Sequence, residues 1–276
     1  MQKNNINLLG FLMAGFLLII VACSKAPDTT TPPVEIPSTP GIIAADGMAK
    51  WDALSMTEKS KVKGFNSLFL HQSVGGDIEG GCETNGYKPE FYELNTAMGS
   101  TTFFYGGLFR SSNGDPIGKF AEFKQSAILN KSKLRLAIFE FGYADIDNTL
   151  LPSVKTGYKA MVEELKANGI RVLHCTPPMV FDTTYNRPII AMGTWMKATF
   201  PNDMIFDLQD IESRSNTTGT RCEQGGVWQI CDNVRSTPGC PSREQGVDTP
   251  AQGHICGTAA DKIAKAFLYA IYSAEK

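Results

Sequence analysis

The chain has 276 residues, of which 42% are hydrophobic and 20% are charged, and its formal net charge at neutral pH is −2. Lys and Arg (26 together) nearly balance Asp and Glu (28), and neither sign gathers into a block that could follow a phosphate backbone. The composition therefore predicts a globular protein and gives no support for nucleic-acid binding.

The N-terminal residues are typical of an export signal. Lys3 is followed by an apolar stretch from Leu8 to Val21 that is too short to span a bilayer comfortably. The run Ile20-Val21-Ala22-Cys23 resembles the lipobox of bacterial lipoproteins, which implies cleavage before Cys23 and attachment of lipid to its sulfur. We expect a lipoprotein signal peptide at 1–22, a membrane contact through the lipid on Cys23, and a location in the cell envelope. A plain signal peptide with an incidental Cys is the alternative.

Two further segments follow the leader. Residues 23–45 are rich in Pro and Thr and poor in apolar groups, which predicts a semi-extended tether. Residues 46–276 number about 230, enough for one large core, and show no second break in composition. We expect a single domain there. Ser24 after Cys23 favours the outer membrane of a Gram-negative-type cell as the place of the anchor.

Short apolar runs alternate with longer amphipathic ones along the domain, which is typical of strands joined by crossover helices in a parallel sheet. The predicted strands are 67–71, 134–141, 170–176 and 204–208, and the predicted helices are 115–129, 154–168, 188–200 and 256–272. Residues 213–252 show no period and are predicted to form a long loop. The expected architecture is an α/β fold: a three-layer α/β/α sandwich around a mainly parallel sheet, with the loops after the strands meeting at one edge.

The remaining six cysteines favour disulfides, because their number is even and the chain carries an export signal. Four of them fall in or beside the predicted loop and are expected to staple it, namely Cys222, Cys231, Cys240 and Cys256. Six cysteines allow 15 connectivities, so the pairing stays open. Zinc is the competing interpretation for the four. Cys175 is either a buried free thiol or the partner of Cys82.

Ser73 is a candidate nucleophile. The run Leu68-Phe69-Leu70-His71-Gln72-Ser73-Val74-Gly75-Gly76 passes from an apolar strand into a Gly-rich turn, which places this hydroxyl at the carboxyl edge of the sheet. A serine hydroxyl is a weak nucleophile until a neighbouring base takes its proton. The alternative is that Ser73 only begins a turn or caps a helix.

The domain offers three histidines as that base. His254 lies just before the last predicted helix, where its ring can turn back over the sheet edge, and it is our candidate. His174 lies inside a predicted strand and is expected to be structural. His71 shares a strand face with Ser73. The alternative for His254 is a capping or loop hydrogen bond.

The order of these residues resembles the SGNH, or GDSL-like, hydrolases, in a divergent branch whose first block reads His-Gln-Ser-Val-Gly. The likeness covers about residues 65 to 272. It implies the flavodoxin-like fold of that family, Ser73 as the nucleophile and His254 as the base. In the last block the family has Asp three residues before His, whereas position 251 is Ala here. The nearest acid upstream is Asp248, which we assign as the group that orients His254, with a Ser-His dyad as the alternative.

The resemblance also implies an oxyanion hole made by backbone and side-chain donors. The N–H groups of Ser73 and Gly114 are the expected donors, Gly114 standing in the second block Asn113-Gly114-Asp115-Pro116. In the third block Ala144 takes the position of the family's oxyanion Asn. Loss of one such donor costs about 2.7–4 kcal/mol in a comparable site. Asn113 or the Tyr143 hydroxyl is the candidate replacement. Asp145 and Asp147, in the same segment, are expected to cap a helix near Asn148 rather than bind metal.

The sequence thus predicts a lipid-anchored serine esterase of the cell envelope that removes acyl or acetyl groups from carbohydrate. The substrate would be a small-molecule or glycan ester, and no metal or cofactor is expected. The carbohydrate part follows from the resemblance and the expected location. The alternative is a catalytically weak or inactive lipoprotein of the same fold that binds glycan or a partner protein. Peptide hydrolysis is less favoured because nothing indicates a pocket for a peptide side chain.

Overall fold

A computed structural model describes residues 40–99, 104–249 and 252–276. The predicted signal peptide at 1–22, the lipidation site Cys23 and most of the predicted tether lie outside the described residues. Among the helices of the described ranges, none is both long and apolar enough to cross a membrane.

The core of the fold is a parallel β-sheet. Its strands in chain order are β1 (Gly41–Ile43), β2 (Ser67–His71), β3 (Glu90–Phe91), β4 (Phe104–Leu108), β5 (Leu136–Phe139), β6 (Arg171–Cys175) and β7 (Met204–Phe206). Their order across the sheet is β1-β7-β6-β5-β2-β4-β3, and every pairing is parallel. A separate antiparallel hairpin, β8 (Glu223–Gln224) and β9 (Val227–Trp228), lies in the long loop.

Helices cover both faces of the sheet. They are α1 (Asp46–Ala53), α2 (Met56–Lys61), α3 (Val74–Thr84), α4 (Pro116–Leu129), α5 (Leu151–Ala167), α6 (Asn186–Thr199), α7 (Leu208–Glu212) and α8 (Gly257–Ala274). Side chains of β2 alternate between two apolar clusters: Phe69 packs with α1, α3 and α8, whereas Leu68 and Leu70 pack with α4, α5 and α6. The predicted three-layer α/β/α sandwich is confirmed.

The structure extends the folded region beyond the sequence prediction. Strand β1 pairs with β7 from Gly41 to Ile43, so the sheet begins inside the segment predicted to be tether. Strand β4 and helix α3 were also missed, because Gly106 and Gly107 weaken the strand signal and the glycines of 75–81 weaken the helical one. Packing overrides these low propensities.

Close packing of α3 on α8 explains one of those glycines. A Cβ at Gly81 would lie 2.3 Å from the carbonyl oxygen of Ala260, so only glycine lets the two helix backbones approach this closely. Asn85, which follows α3, donates from its amide to the carbonyl of Asp261 at 2.9 Å and fixes the same contact. The contact also brings two candidate residues together, because α3 begins directly after Ser73 and α8 begins three residues after His254.

Two disulfides hold the predicted long loop, as expected. They join Cys222 to Cys231 and Cys240 to Cys256, which rules out zinc as the role of these four cysteines. Cys82 and Cys175 are buried free thiols and do not pair. Desolvation on burial raises the pKa of both thiols well above the usual value.

His174 is structural, as predicted. Its Nδ1 accepts from the Tyr158 hydroxyl at 2.8 Å, its Nε2 lies 3.0 Å from Asp203 Oδ2, and its ring stacks on Phe200 with centroids 4.3 Å apart. Desolvation lowers the pKa of His174, so the buried ring is neutral at pH 7 and donates from Nε2 to the carboxylate. Desolvation opposes ionisation of Asp203 as well, but hydrogen bonds from His174 and Lys166 outweigh it and lower the pKa of Asp203 to about 2.

We predict that Gly81→Ala lowers the free energy of unfolding by about 2 kcal/mol, because overpacking at the α3–α8 contact outweighs the gain in helix propensity. Urea denaturation measures the change. Gly64→Ala is the matched control, since nothing lies within 4 Å of a Cβ at that position. Equal effects of the two substitutions would show that the helix contact is not close.

We predict that Asp203 stabilises the fold above its ordinary pKa and loses this contribution in acid. Its folded pKa of about 2 lies below the ordinary pKa of an aspartate, 3.8, so its stabilisation is complete above about pH 4 and disappears as pH falls towards 2. Between pH 5 and pH 2, Asp203→Asn should therefore lose about 2 kcal/mol less stability than the wild type. Asp46→Asn, which alters only an exposed ion pair with Lys50, should decline in parallel with the wild type.

Candidate active site

Ser73 lies at a strained turn between β2 and α3. Its backbone has φ 23° and ψ −76°, a conformation that costs a residue with a Cβ about 1–3 kcal/mol and is concentrated at functional sites. The residue occupies the position before the first turn of α3, yet its side chain makes no capping hydrogen bond. The alternative that Ser73 serves as a helix cap is therefore wrong.

The buried side chain of Glu140 holds this turn in place. Glu140 follows β5, is fully buried, and accepts the backbone N–H of Gln72 through Oε2 at 2.9 Å. Desolvation raises the pKa of Glu140 well above its usual range, with only partial compensation from the Gln72 bond. The residue before Ser73 is thus held to the neighbouring strand, which supports the strained conformation.

His254 and Asp248 form the pair that the sequence predicted. Asp248 Oδ1 lies 2.7 Å from His254 Nδ1, and Oδ2 accepts the backbone N–H of His254 at 2.6 Å. Both side chains are almost fully buried, with 3% and 2% exposure. A carboxylate at Nδ1 stabilises the tautomer with its proton on Nδ1 and leaves Nε2 with a lone pair, as a general base requires. Cys256, not His254, takes the N-cap of α8, which removes the capping alternative.

Asp77 connects the helix of Ser73 to the loop of His254. It lies on α3, one turn after Ser73, and is fully buried. Its Oδ2 accepts the N–H of Ile255 at 3.1 Å, next to His254. Its Oδ1 accepts from the loop segment 242–244, including the Ser242 hydroxyl at 2.8 Å. Desolvation raises the pKa of Asp77, partly offset by these bonds. No local pattern in the sequence indicates this role.

The hydroxyl of Ser73 and the Nε2 of His254 are both shielded from solvent. Within the described residues, neither atom has a hydrogen-bond partner, so the two are not bonded to each other. Buried polar atoms without partners are rare and costly. Catalytic hydrogen bonds are often long in structures without substrate and tighten when it binds. The arrangement therefore leaves two reactive atoms unsatisfied at the same edge of the sheet.

Gly114 is not available as an oxyanion donor, which corrects the prediction for the second block. Its N–H donates to Asp145 Oδ1 at 2.9 Å. Asp145 is fully buried against Lys119, whose Nζ lies 2.7 Å from Oδ2, and also accepts the Gly142 N–H at 2.8 Å. Asp145 therefore joins the second and third blocks and does not cap the helix near Asn148. Asp147 instead stabilises the turn that leads into α5, because its side chain accepts the N–H groups of Thr149 and Leu150.

The Asn113 side chain lies against Gly142 of the third block. Its Oδ1 accepts from Lys119 Nζ at 3.2 Å, and a Cβ at Gly142 would lie 2.6 Å from that oxygen. The Asn113 side chain thus packs over the segment in which Ala144 replaces the family's Asn. Since Oδ1 faces Lys119, the amide N–H groups point the other way, and the residue is exposed.

Tyr143 supports the histidine loop and not an oxyanion. Its ring packs edge-on against His254, with centroids 5.8 Å apart. Burial raises the pKa of Tyr143, while a hydrogen bond with Gln252 lowers it. The hydroxyl is thus bonded within the loop that carries His254. Of the two side-chain donors predicted to replace the missing Asn, the geometry favours Asn113.

Among the described side chains, no group of three or more His, Cys, Asp or Glu residues is arranged to hold a metal ion.

No protein-family model and no curated protein matches the sequence. Among solved structures, the chain is similar to a proposed lipolytic protein of the G-D-S-L family from Desulfitobacterium hafniense DCB-2, at 12% identity and TM-score 0.46, covering 74% of this chain and 99% of that one. A proposed acylhydrolase from Bacteroides fragilis NCTC 9343 gives 13% identity and TM-score 0.45, covering 82% and 93% of the two chains.

A GDSL-like lipase from Bacteroides thetaiotaomicron VPI-5482 gives 13% identity and TM-score 0.46, covering 82% and 97%. The names of these three structures describe lipolytic proteins or acylhydrolases. At this distance an activity has to be argued from the geometry of the site itself.

We predict that Lys119→Met lowers the free energy of unfolding by about 3–5 kcal/mol, because it leaves the buried carboxylate of Asp145 without its cation. Thermal or urea unfolding measures the loss. The double variant Lys119→Met/Asp145→Leu should recover part of it, since no unpaired charge remains buried. Lys124→Met, which removes only an exposed pair with Glu164, is the control and should change stability by less than about 1 kcal/mol.

Proposed function

We propose that this protein is a serine esterase with Ser73 as nucleophile, His254 as general base and Asp248 as the residue that orients the imidazole. The observation that carries the proposal is the pair formed by His254 Nδ1 and Asp248 Oδ1 at 2.7 Å, which leaves His254 Nε2 without a partner. Asp77 links the loop of this pair to α3, and α3 directly follows Ser73, whose backbone is strained and whose side chain makes no capping hydrogen bond. A structural serine or histidine requires neither the strain nor the unsatisfied atoms.

In the proposed reaction, Ser73 Oγ attacks the ester carbonyl carbon while His254 Nε2 takes the hydroxyl proton. The tetrahedral intermediate then collapses, the carbon–oxygen bond to the alcohol breaks, and the imidazolium returns the proton to the leaving alkoxide. Water deacylates Ser73 by the same steps and releases the carboxylic acid. Asp248 keeps the ring in the required tautomer and stabilises the imidazolium.

The developing oxyanion needs donors other than Gly114. The Ser73 N–H lies at the N-terminal end of α3, where backbone donors lack intrahelical acceptors and the helix dipole favours negative charge. We assign the Asn113 amide as the second donor, since its oxygen is held by Lys119 and its N–H groups face outward. Each preorganised donor of this kind contributes about 2.7–4 kcal/mol to transition-state binding.

Carbohydrate esters are the substrate class that we propose, with acetyl or another short acyl group removed at the cell envelope. The resemblance of the motifs and the expected anchor at Cys23 support this part of the proposal. The outer membrane of a Gram-negative-type cell is the proposed location, on the basis of the lipobox-like sequence and Ser24.

A non-catalytic binding lipoprotein of the same fold is the second candidate. Two observations favour it: Ser73 Oγ and His254 Nε2 are not hydrogen-bonded to each other, and the Gly114 N–H is occupied by Asp145. Such a protein would use the sheet edge to hold a glycan or a partner protein without cleaving it.

We predict that residues 40–276 hydrolyse p-nitrophenyl acetate and that Ser73→Ala and His254→Ala each lower kcat at least about 10³-fold, while Asp248→Asn costs about 10²–10⁴-fold by disturbing the tautomer. Steady-state release of p-nitrophenol measures the rates. Ser153→Ala, on the exposed side of α5, should retain wild-type activity. Wild-type protein that is folded but no faster than Ser73→Ala would refute the esterase and support the binding lipoprotein.

A further inference from the structure

A cleft of about 330 Å³ lies beside the turn that carries Ser73. His71, two residues before Ser73, and Gly76, three residues after it, both line the cleft. Because a helix rises 1.5 Å per residue, Gly76 lies only about 4.5 Å along the axis of α3 from Ser73. The cleft is therefore next to the segment that carries Ser73, although Ser73 and His254 do not themselves line it.

Three glycines make room for the polar side chains of the cleft. A Cβ at Gly106 would lie 1.5 Å from Glu79 Oε1, so the Glu79 carboxyl group rests directly on β4. A Cβ at Gly75 would lie 2.2 Å from the Cβ of His71, and one at Gly76 would lie 2.8 Å from Glu244 Oε2. Glycine is unfavourable for helix or strand formation at each of these positions, but only glycine leaves room for the side chain that lies against it. The cleft is thus a preformed site and not a surface irregularity.

Three buried polar atoms of the cleft have no hydrogen-bond partner within the described residues, namely both ring nitrogens of His71 and Oε1 of Glu79. The His71 side chain is 3% exposed. Its Nε2 lies 3.0 Å from Glu79 Oε1, but the contact is too poorly aligned to be a hydrogen bond. Glu79 is 21% exposed, so its carboxyl group reaches solvent through the cleft. Unsatisfied groups at a preformed cavity indicate a ligand that satisfies them.

The charges of the cleft select the kind of ligand. Glu79, Glu83 and Glu244 line it, and Lys88 is held by Glu83 at 2.8 Å. Two carboxylates therefore remain as hydrogen-bond acceptors without a lysine or arginine on the cleft wall to pair with them. Carboxylates accept from hydroxyl and ammonium groups, and they repel a carboxylate, sulfate or phosphate.

The rim of the cleft is apolar. Phe91 is 75% exposed and Leu108 is 45% exposed, and both line the same opening. Single exposed apolar residues are ordinary, but an aromatic ring at the mouth of a polar cleft offers a flat surface for a ring-shaped ligand. The combination of acceptors within and an aromatic face outside matches a sugar ring, whose equatorial hydroxyls surround apolar faces.

We propose that this cleft binds the alcohol part of the ester, and that this part is a neutral or amino sugar. Hydroxyl or ammonium groups of the sugar would donate to Glu79 and Glu244, and the sugar ring would pack on Phe91. The proposal rests on the esterase function, and it adds the substrate class and the residues that select it. Sugars that carry an acidic group are excluded.

The test compares four acetate esters: O-acetylated methyl glucoside, O-acetylated glucosamine, O-acetylated glucuronic acid, and ethyl acetate, which has no ring. For Glu79→Gln and Glu244→Gln, kcat/KM for the two uncharged or cationic sugar esters should fall about tenfold further than kcat/KM for ethyl acetate, as expected for loss of a charge-assisted hydrogen bond. A larger loss with glucosamine identifies the ammonium as the donor, and equal losses identify the hydroxyls.

Two controls distinguish the cleft from general damage. Glu163→Gln removes an exposed carboxylate on α5 that pairs with Lys159 outside the cleft, and it should leave all four rates within twofold of wild type. Phe91→Ala should raise KM for the sugar esters, whereas Leu129→Ala, which removes an apolar side chain 53% exposed on α4, should not.

The proposal is overturned if the cleft variants change all four rates by the same factor, or if the wild type prefers the glucuronic acid ester. If the wild type hydrolyses none of the esters, the esterase function itself fails, and the cleft is then tested by calorimetry. Methyl glucoside and glucosamine titrated into wild-type and Glu79→Gln protein should bind only the wild type. Absence of binding to both would reject the cleft as a sugar site.

Discussion

Hydrogen bonds from backbone amides to buried carboxylates organise the functional edge of this sheet. Where parallel strands end, the loops leave the ladder and their N–H groups lose their sheet partners, although the loops remain buried. Glu140 takes the N–H of Gln72, Glu212 takes that of Met179, and Asp145 takes two at once. Asp77 does the same for the C-terminal loop. These carboxyl groups accept the backbone N–H groups that a sheet or helix would otherwise bond, and they thereby fix the conformation of the irregular segments. Their cost is desolvation, which is reflected in the raised pKa values of Glu140, Glu212 and Asp77.

The sequence predicted the features that depend on local pattern. Strand β2 was placed at its observed limits, and the other predicted strands and helices differ only at their ends, because apolar periodicity reports burial directly. The sequence predicted the Asp248–His254 pair because a separation of six positions is short enough for the carboxyl group to reach the imidazole. Asp77 was not found, because its bond to Ile255 joins residues 178 apart in the chain. Gly114 was assigned wrongly for a related reason: the acceptor that occupies its N–H, Asp145, lies on a different strand-ending loop.

The glycines of α3 and β4 are the reason that these two elements were not predicted, and the contacts at the same glycines explain why the elements form. A propensity argument treats the glycines of α3 and β4 as weaknesses. In the structure they mark places where another group must come within van der Waals distance of the backbone: Ala260 at Gly81, His71 at Gly75 and Glu79 at Gly106. The elements around Ser73 are therefore stabilised by what packs on them. This also explains why a helix so rich in glycine begins at a residue held in a strained conformation: the surrounding contacts, not the helix itself, fix the turn.

The two buried thiols have a consequence for how the chain matures. Once Cys82 and Cys175 are inside the core, their raised pKa values leave almost no thiolate, and only the thiolate takes part in disulfide exchange. Before the core closes, all six cysteines of the domain compete. The native bridges join cysteines that are consecutive in the sequence, 9 and 16 residues apart, so their loops close at a smaller entropic cost than any that would include Cys82. Collapse that precedes oxidation removes the two competing thiols, and of the three ways to pair the remaining four cysteines the native one closes the shortest loops in total.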